Sequence, residues 1–126
     1  MKVRWTEGSY RLRVTPRELA ILQAGGCVET SLRVPGGAWS ARIEPAADSG
    51  LRLDGCTLTL SLAAGDIARL AAPENEGVYF REDAPERVRY YVEKDFPCAH
   101  PGAAEAEETP TETFAPPPDF KARHRG

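Results

Sequence analysis

A chain of 126 residues, 41% apolar and 28% charged, is long enough to bury one core and too mixed in composition to be fibrous or disulfide-stapled. Its net charge of −3 has no basic block behind it: residues 1–54 carry eight basic and six acidic side chains, 55–98 five and eight, 99–126 three and five, so no nucleic-acid partner is expected. The opening Met1-Lys2-Val3-Arg4-Trp5 holds no apolar run for a signal peptide or a membrane span, and Cys27, Cys56 and Cys98 are odd in number and far apart, which predicts a cytoplasmic chain, no membrane contact, and Cys27 and Cys56 as small buried hydrophobes.

The elements begin with alternation. Val3 and Trp5 share a face against Lys2 and Arg4, and Tyr10, Leu12 and Val14 share one against Arg11 and Arg13, so Thr6-Glu7-Gly8-Ser9 reads as the turn of a first hairpin. Thr15-Pro16-Arg17-Glu18 then carries the cap, first-turn proline and capping box of a helix, with Leu19 and Leu22 on its apolar side and Gly25-Gly26 at its end. Cys27 to Val34 and Ala38 to Glu44 form a second hairpin around Pro35-Gly36-Gly37. Leu51 and Leu53 lead into Asp54-Gly55, for which a type I′ turn is expected, and Leu58, Leu60 and Leu62 follow. From Ala63 to Ala72 the period changes to that of a helix, which Pro73 stops. Val78 to Glu82 and Arg87 to Lys94 make the last strand pair, with Val88, Tyr90 and Val92 aligned.

The order ββα ββ ββ α ββ predicts an α+β domain over residues 1–100, built as a mostly antiparallel curved sheet or open barrel of about eight strands with two short helices. Residues 101–126, rich in Ala, Glu, Thr and Pro, are expected to form a disordered acidic tail.

Two groups of side chains invite chemistry. Val92-Glu93-Lys94-Asp95-Phe96-Pro97-Cys98-Ala99-His100 gathers two carboxylates, an amine, a thiol and an imidazole at a strand end. Glu93 and Asp95 share a face suited to paired acid and base work or to a structural ion pair, while Lys94 falls on the core side and must be paired or at the rim. Cys98 and His100 are the pair a metal would use, but two ligands with no Cys-x-x-Cys or His-x-His elsewhere do not make a site, so neither metal nor cofactor is expected. The second group is the basic ladder Lys2, Arg4, Arg11 and Arg13, joined by Arg87 and Arg89. On neighbouring strands it forms a positive face suited to phosphate or an acidic peptide, with Tyr91 as the one aromatic in phase; solvated surface charge is the plainer alternative. Glycine-rich phosphate loops and nucleophile elbows are absent, so no enzyme class is named by motif.

Lys2-Val3-Arg4, Ser9, Arg11-Leu12-Arg13-Val14-Thr15 with Glu18, and the closing Val92-Glu93-Lys94-Asp95-Phe96 with Cys98 resemble an uncharacterised family of short bacterial proteins over about residues 1–100. Ala99 departs from that family's leucine. The resemblance implies a bacterial source and a single domain, and no activity. The expectation is therefore a non-enzymatic binding or accessory module that contacts another protein through a sheet face or edge, self-association included. The alternative is a protein or small enzyme for a phosphate-type anion or other small molecule, in which Glu93, Lys94 and Asp95 act with Arg4, Arg11 and Arg13.

Overall fold

The structure, a computed structural model, describes residues 1–96, of which Met1–Asp95 make one compact unit. β1 (Lys2–Thr6) and β2 (Ser9–Val14) pair antiparallel about Glu7-Gly8, where Gly8 takes a φ of 78° that a side chain would strain. The Thr15 hydroxyl then accepts the Glu18 N–H at 3.2 Å while the Glu18 carboxylate accepts the Thr15 N–H at 2.9 Å, so α1 (Pro16–Gln23) starts on the capping box that its sequence predicts. β3 (Val28–Val34) and β4 (Gly37–Pro45) form the second hairpin, and β5 (Gly50–Asp54) and β6 (Thr57–Leu62) the third. In that third turn Asp54 pairs with Thr57 and the loop is Gly55-Cys56, one residue later than expected. Positive φ belongs to Gly55 alone, which fits a type II′ rather than a type I′ turn.

α2 (Ala64–Ala71) opens at Ala63, which has no side chain to cap with. Ser49 substitutes: its hydroxyl accepts the Ala63 N–H at 2.8 Å and donates to Asp66 in the first turn. β7 (Gly77–Glu82) and β8 (Val88–Lys94) complete the described chain.

The α+β class and the element order are those expected, but the strands divide between two sheets, in the orders β1-β2-β8-β7 and β3-β4-β6-β5. Each sheet is mixed, because its two antiparallel hairpins meet along a parallel central pair, β2 with β8 and β4 with β6. The expected single curved sheet or open barrel of about eight strands is thereby corrected to two sheets of four. Hairpins announce themselves locally, whereas parallel pairing between distant strands leaves no local mark.

One pattern occurs twice. β1-β2-α1-β3-β4 is repeated as β5-β6-α2-β7-β8, and each sheet combines the first hairpin of one repeat with the second hairpin of the other. The helices carry the chain between the sheets and touch each other. Leu12, Val14 and Val92 from one sheet, Ile43, Leu60 and Leu62 from the other, and Leu22 and Leu70 from the helices share a single core. Each such side chain contributes about 1.5–3 kcal/mol by leaving water.

Cys27 and Cys56 are both exposed, which corrects their expected burial. Cys56 occupies the β5–β6 loop, and Cys27 precedes β3 on the outward side, where an Arg42 guanidinium N–H donates to its sulfur. Small size made them plausible core residues, but loop position decided otherwise.

Candidate functional site

In antiparallel and parallel ladders alike, directly paired residues point to the same face, so the register fixes which side chains are neighbours. Across the outer face of the first sheet, from β1 through β2 and β8 to β7, the rows read Lys2, Arg13, Glu93, Gly77; then Arg4, Arg11, Tyr91, Tyr79; then Thr6, Ser9, Arg89, Arg81. Lys2, Arg4, Arg11, Arg13, Arg81 and Arg89 are basic, and Glu93 is the one carboxylate within the grid. The inner face of the same strands carries Val3, Leu12, Val14, Tyr90 and Val92.

The centre of the grid is tied together. Arg11 Nε lies 3.1 Å from Glu93 Oε1, Arg13 Nε 3.9 Å from the same oxygen, and the Tyr79 hydroxyl donates to Glu93 Oε2 at 3.2 Å. The Arg11 guanidinium sits over the Tyr91 ring, 5.3 Å from its centroid, and the Ser9 and Tyr91 hydroxyls are 3.3 Å apart. Tyr79 and Tyr91 stand side by side with ring centroids 5.5 Å apart and planes inclined by 40°. A cationic depression of about 160 Å³ opens between Lys2, Val3, Arg4, Arg11 and Arg13.

The two phenols are pushed in opposite directions. Partial burial raises the Tyr79 ionisation above its ordinary value, and the negative charge and hydrogen bond of Glu93 add to that. The Ser9 hydrogen bond lowers Tyr91 against the opposing push of burial, and Arg11 lowers it further by hydrogen bonding and by charge.

The residues singled out in the sequence separate here. Arg4, Arg11, Arg13 and Glu93 come together with Lys2 and Arg89 on the outer face, and Asp95, just past β8, pairs with Lys2 at 3.1 Å. Arg87 lies before β8 and faces Asp83 at 3.8 Å. Lys94 points the other way, and its ammonium donates to the Ala72 carbonyl at 2.7 Å, satisfying an end of α2. Glu93, Lys94 and Asp95 therefore do not share one pocket. Cys98 and His100, and the tail, lie outside the described residues; among the described residues no three His, Cys, Asp or Glu side chains are grouped as a metal site would need, and no helix is long and apolar enough to cross a membrane. Sequence reading missed Tyr79. Its strand was legible, but the segment between β7 and β8 is too long to fix a register, and the register alone puts Tyr79 opposite Tyr91.

The second sheet offers a comparison within one molecule. Its outer positions hold Gly50, Ser61 and Glu44, then Arg52, Thr59, Arg42 and Glu29, then Asp54, Thr57, Ser40 and Ser31, and last Ala38 and Arg33. There Arg52 pairs with Glu44 at 2.7 Å and Asp54 at 2.7 Å, and Arg42 with Glu44 at 3.4 Å and Glu29 at 3.9 Å. That face carries as many carboxylates (Glu29, Glu44 and Asp54) as cations (Arg33, Arg42 and Arg52) and no aromatic ring. The scaffold alone does not impose the basic, tyrosine-bearing character of the first face.

Between the inner faces, at the end away from the helices, a cleft of about 760 Å³ is lined mainly by apolar side chains of both sheets. Trp5, Leu53 and Leu32 stand on it 70%, 65% and 61% exposed.

Two mixed sheets bridged by two helices, with one outer face strongly basic, define an α+β protein. The chain belongs to a family of unknown function, DUF7009, whose model matches residues 1–115. That bears out the resemblance to an uncharacterised family and brings no activity with it. No curated protein matches the chain, and no solved structure does.

Proposed function

We propose that this chain is a binding module rather than an enzyme, that its working surface is the outer face of the first sheet, and that its ligand is a polyanion of phosphate type. The observation that carries the reading is the contrast between the two outer faces: equivalent strands present six basic side chains around one glutamate on one sheet, and three cations balanced by three carboxylates on the other. Guanidinium forks suit phosphate oxygens, and Glu93, engaged by Arg11, Arg13 and Tyr79, holds those side chains in place rather than standing as an uncommitted base. Calorimetric titration with inorganic polyphosphate tests it. Arg4→Gln with Arg13→Gln should weaken binding about tenfold or more at low salt, and Arg42→Gln with Arg52→Gln on the other sheet should leave it unchanged. Equal binding by both double variants, or none by the native chain, rejects the reading.

The exposed Trp5, Leu32 and Leu53 favour a second reading, an accessory module that holds an extended apolar segment of a partner protein in the cleft. β1, β3 and β5, which contribute to its walls, are all edge strands with main-chain groups available for pairing, the combination that extended peptides exploit. Trp5→Ser should abolish capture of such a partner. A mass that rises with concentration and falls in the Trp5→Ser variant would make a second copy of this chain the occupant instead.

A further inference from the structure

We infer that the polyanion held by the first sheet is single-stranded nucleic acid, with unpaired bases stacking on Tyr79 and Tyr91 and the sugar-phosphate backbone lying over the arginines of β1 and β2. The inference rests on the reading above and narrows its ligand class.

Charge alone would suit any phosphate polymer. What separates nucleic acid from the rest is a flat ring that needs a partner, and the middle row of the grid supplies both needs in order: Arg4, Arg11, Tyr91, Tyr79. Tyr79 is 60% exposed although it sits in the middle of a strand. Its ring is not there to fill the core, since the inner neighbours Val78 and Phe80 do that. Its hydroxyl is anchored by Glu93, which fixes the ring's position before any ligand arrives. Tyr91 is steadied between Arg11 and Tyr79, so two rings about one side-chain spacing apart form a platform at one side of the face. Neighbouring strands are about 4.8 Å apart, so the row of four spans about 14 Å, wide enough for a base at one edge and its backbone at the other.

The expectation against nucleic acid counted Tyr91 as the only aromatic in phase and weighed charge by segment. Pairing removes the first ground by placing Tyr79 beside Tyr91, and it changes the second, because Arg81 and Arg89 from an acidic segment join Lys2, Arg4, Arg11 and Arg13 on one surface. Stacking is tolerant of base identity, so little sequence preference is expected; bases locked in a duplex are not offered to the rings, so single strands are favoured.

The test uses the full chain with three probes: a labelled mixed-sequence single strand of about fifteen nucleotides, the matching duplex, and inorganic polyphosphate as competitor. The single strand should bind more tightly than the duplex. Tyr79→Ala and Tyr79→Leu should each weaken single-strand binding about tenfold and polyphosphate binding less than twofold, while Tyr79→Phe, which keeps the ring and loses only its anchor to Glu93, should weaken single-strand binding by no more than about threefold. Salt sensitivity of single-strand binding should fall in Arg4→Gln, by about 0.7 in the log–log slope if Arg4 neutralises one phosphate. Polyphosphate binding with a single strand no better than the duplex, or Tyr79 variants that move both probes alike, overturns the nucleic-acid assignment and leaves the polyanion reading standing. Silence with all three probes overturns both.

Discussion

Glu93 Oε1 lies 3.1 Å from Nε of Arg11, at the centre of a face otherwise dominated by cations. The carboxylate orients Arg11, Arg13 and Tyr79, yet it also puts negative charge where a phosphate would approach. Glu93→Gln keeps the shape and removes the charge. Affinity for inorganic polyphosphate should rise about threefold to tenfold at low salt, and the gain should shrink as salt screens the face. A fall in affinity with the fold intact would mean that Glu93 belongs to the site as an attractive element and that the ligand carries a donor.

Acid should destabilise the domain through two carboxyls in particular. Burial pushes Glu18 up, but the Met1 amine at 2.7 Å, the Thr15 N–H and the Thr15 hydroxyl outweigh it and hold Glu18 below its ordinary value. The hydrogen bond from Arg52 holds Glu44 down against burial, with the Arg52 and Arg42 charges assisting. A group whose folded value is depressed contributes stability in full above its unfolded value and loses it as pH falls through the folded one. The thermal midpoint should therefore hold down to about pH 5 with respect to these groups and decline below about pH 4.3. Glu18→Gln with Glu44→Gln should start from a lower midpoint and lose less on acidification; parallel curves for the two proteins would deny these carboxyls the role.

Thr15 caps α1 by accepting the Glu18 N–H. Thr15→Ala should cost about 1 kcal/mol, within the range of about 0.5–2 measured for such caps. For a domain of this size that lowers the melting midpoint by about 4–8 °C. An unchanged midpoint would mean that Glu18 and the Met1 amine secure the helix without Thr15.

How much of this was legible in advance follows a physical line. Every hairpin and both helices could be read, because alternation, Thr15-Pro16 and the turn glycines act over a few residues. The parallel pairing of β2 with β8 could not, and that pairing sets Arg11 beside Tyr91 and Arg13 beside Glu93. The basic ladder of β1 and β2 was therefore visible, while its aromatic half was seen only as Tyr91. Lys94 was correctly placed on the core side, but its partner, the Ala72 carbonyl, is a backbone group that no side-chain pattern advertises.

Tyr10 is almost fully buried, and its hydroxyl has no hydrogen-bond partner among the described residues; burial pushes its ionisation far above that of an ordinary tyrosine. A buried hydroxyl without a partner costs free energy that its ring does not need to bear. Tyr10→Phe should leave stability unchanged or raise it by up to about 1 kcal/mol in denaturant unfolding. A loss of more than that would reveal a bond to the hydroxyl in solution.

Gly77 faces Glu93 across β7 and β8, and a Cβ added there would lie 2.7 Å from the Val92 carbonyl oxygen and 2.9 Å from Cγ of Glu93. The Glu93 side chain can swing away, but the Val92 oxygen belongs to the strand and cannot. β7 must then move off β8, at a cost of about 1–3 kcal/mol for such overpacking. That movement would draw Tyr79 away from both Glu93 and Tyr91, since Tyr79 is two residues along the same strand. Gly77→Ala should thus lower the melting midpoint and also bring the Tyr79 ionisation back down toward its ordinary value, because the negative charge and the acceptor that help to raise it are both supplied by Glu93. Ultraviolet titration of the phenols reads the second effect independently of the first. A destabilised protein with the Tyr79 titration unmoved would mean that the strand yields elsewhere; an unchanged midpoint would contradict the close approach of β7 and β8 on which the tyrosine pair depends.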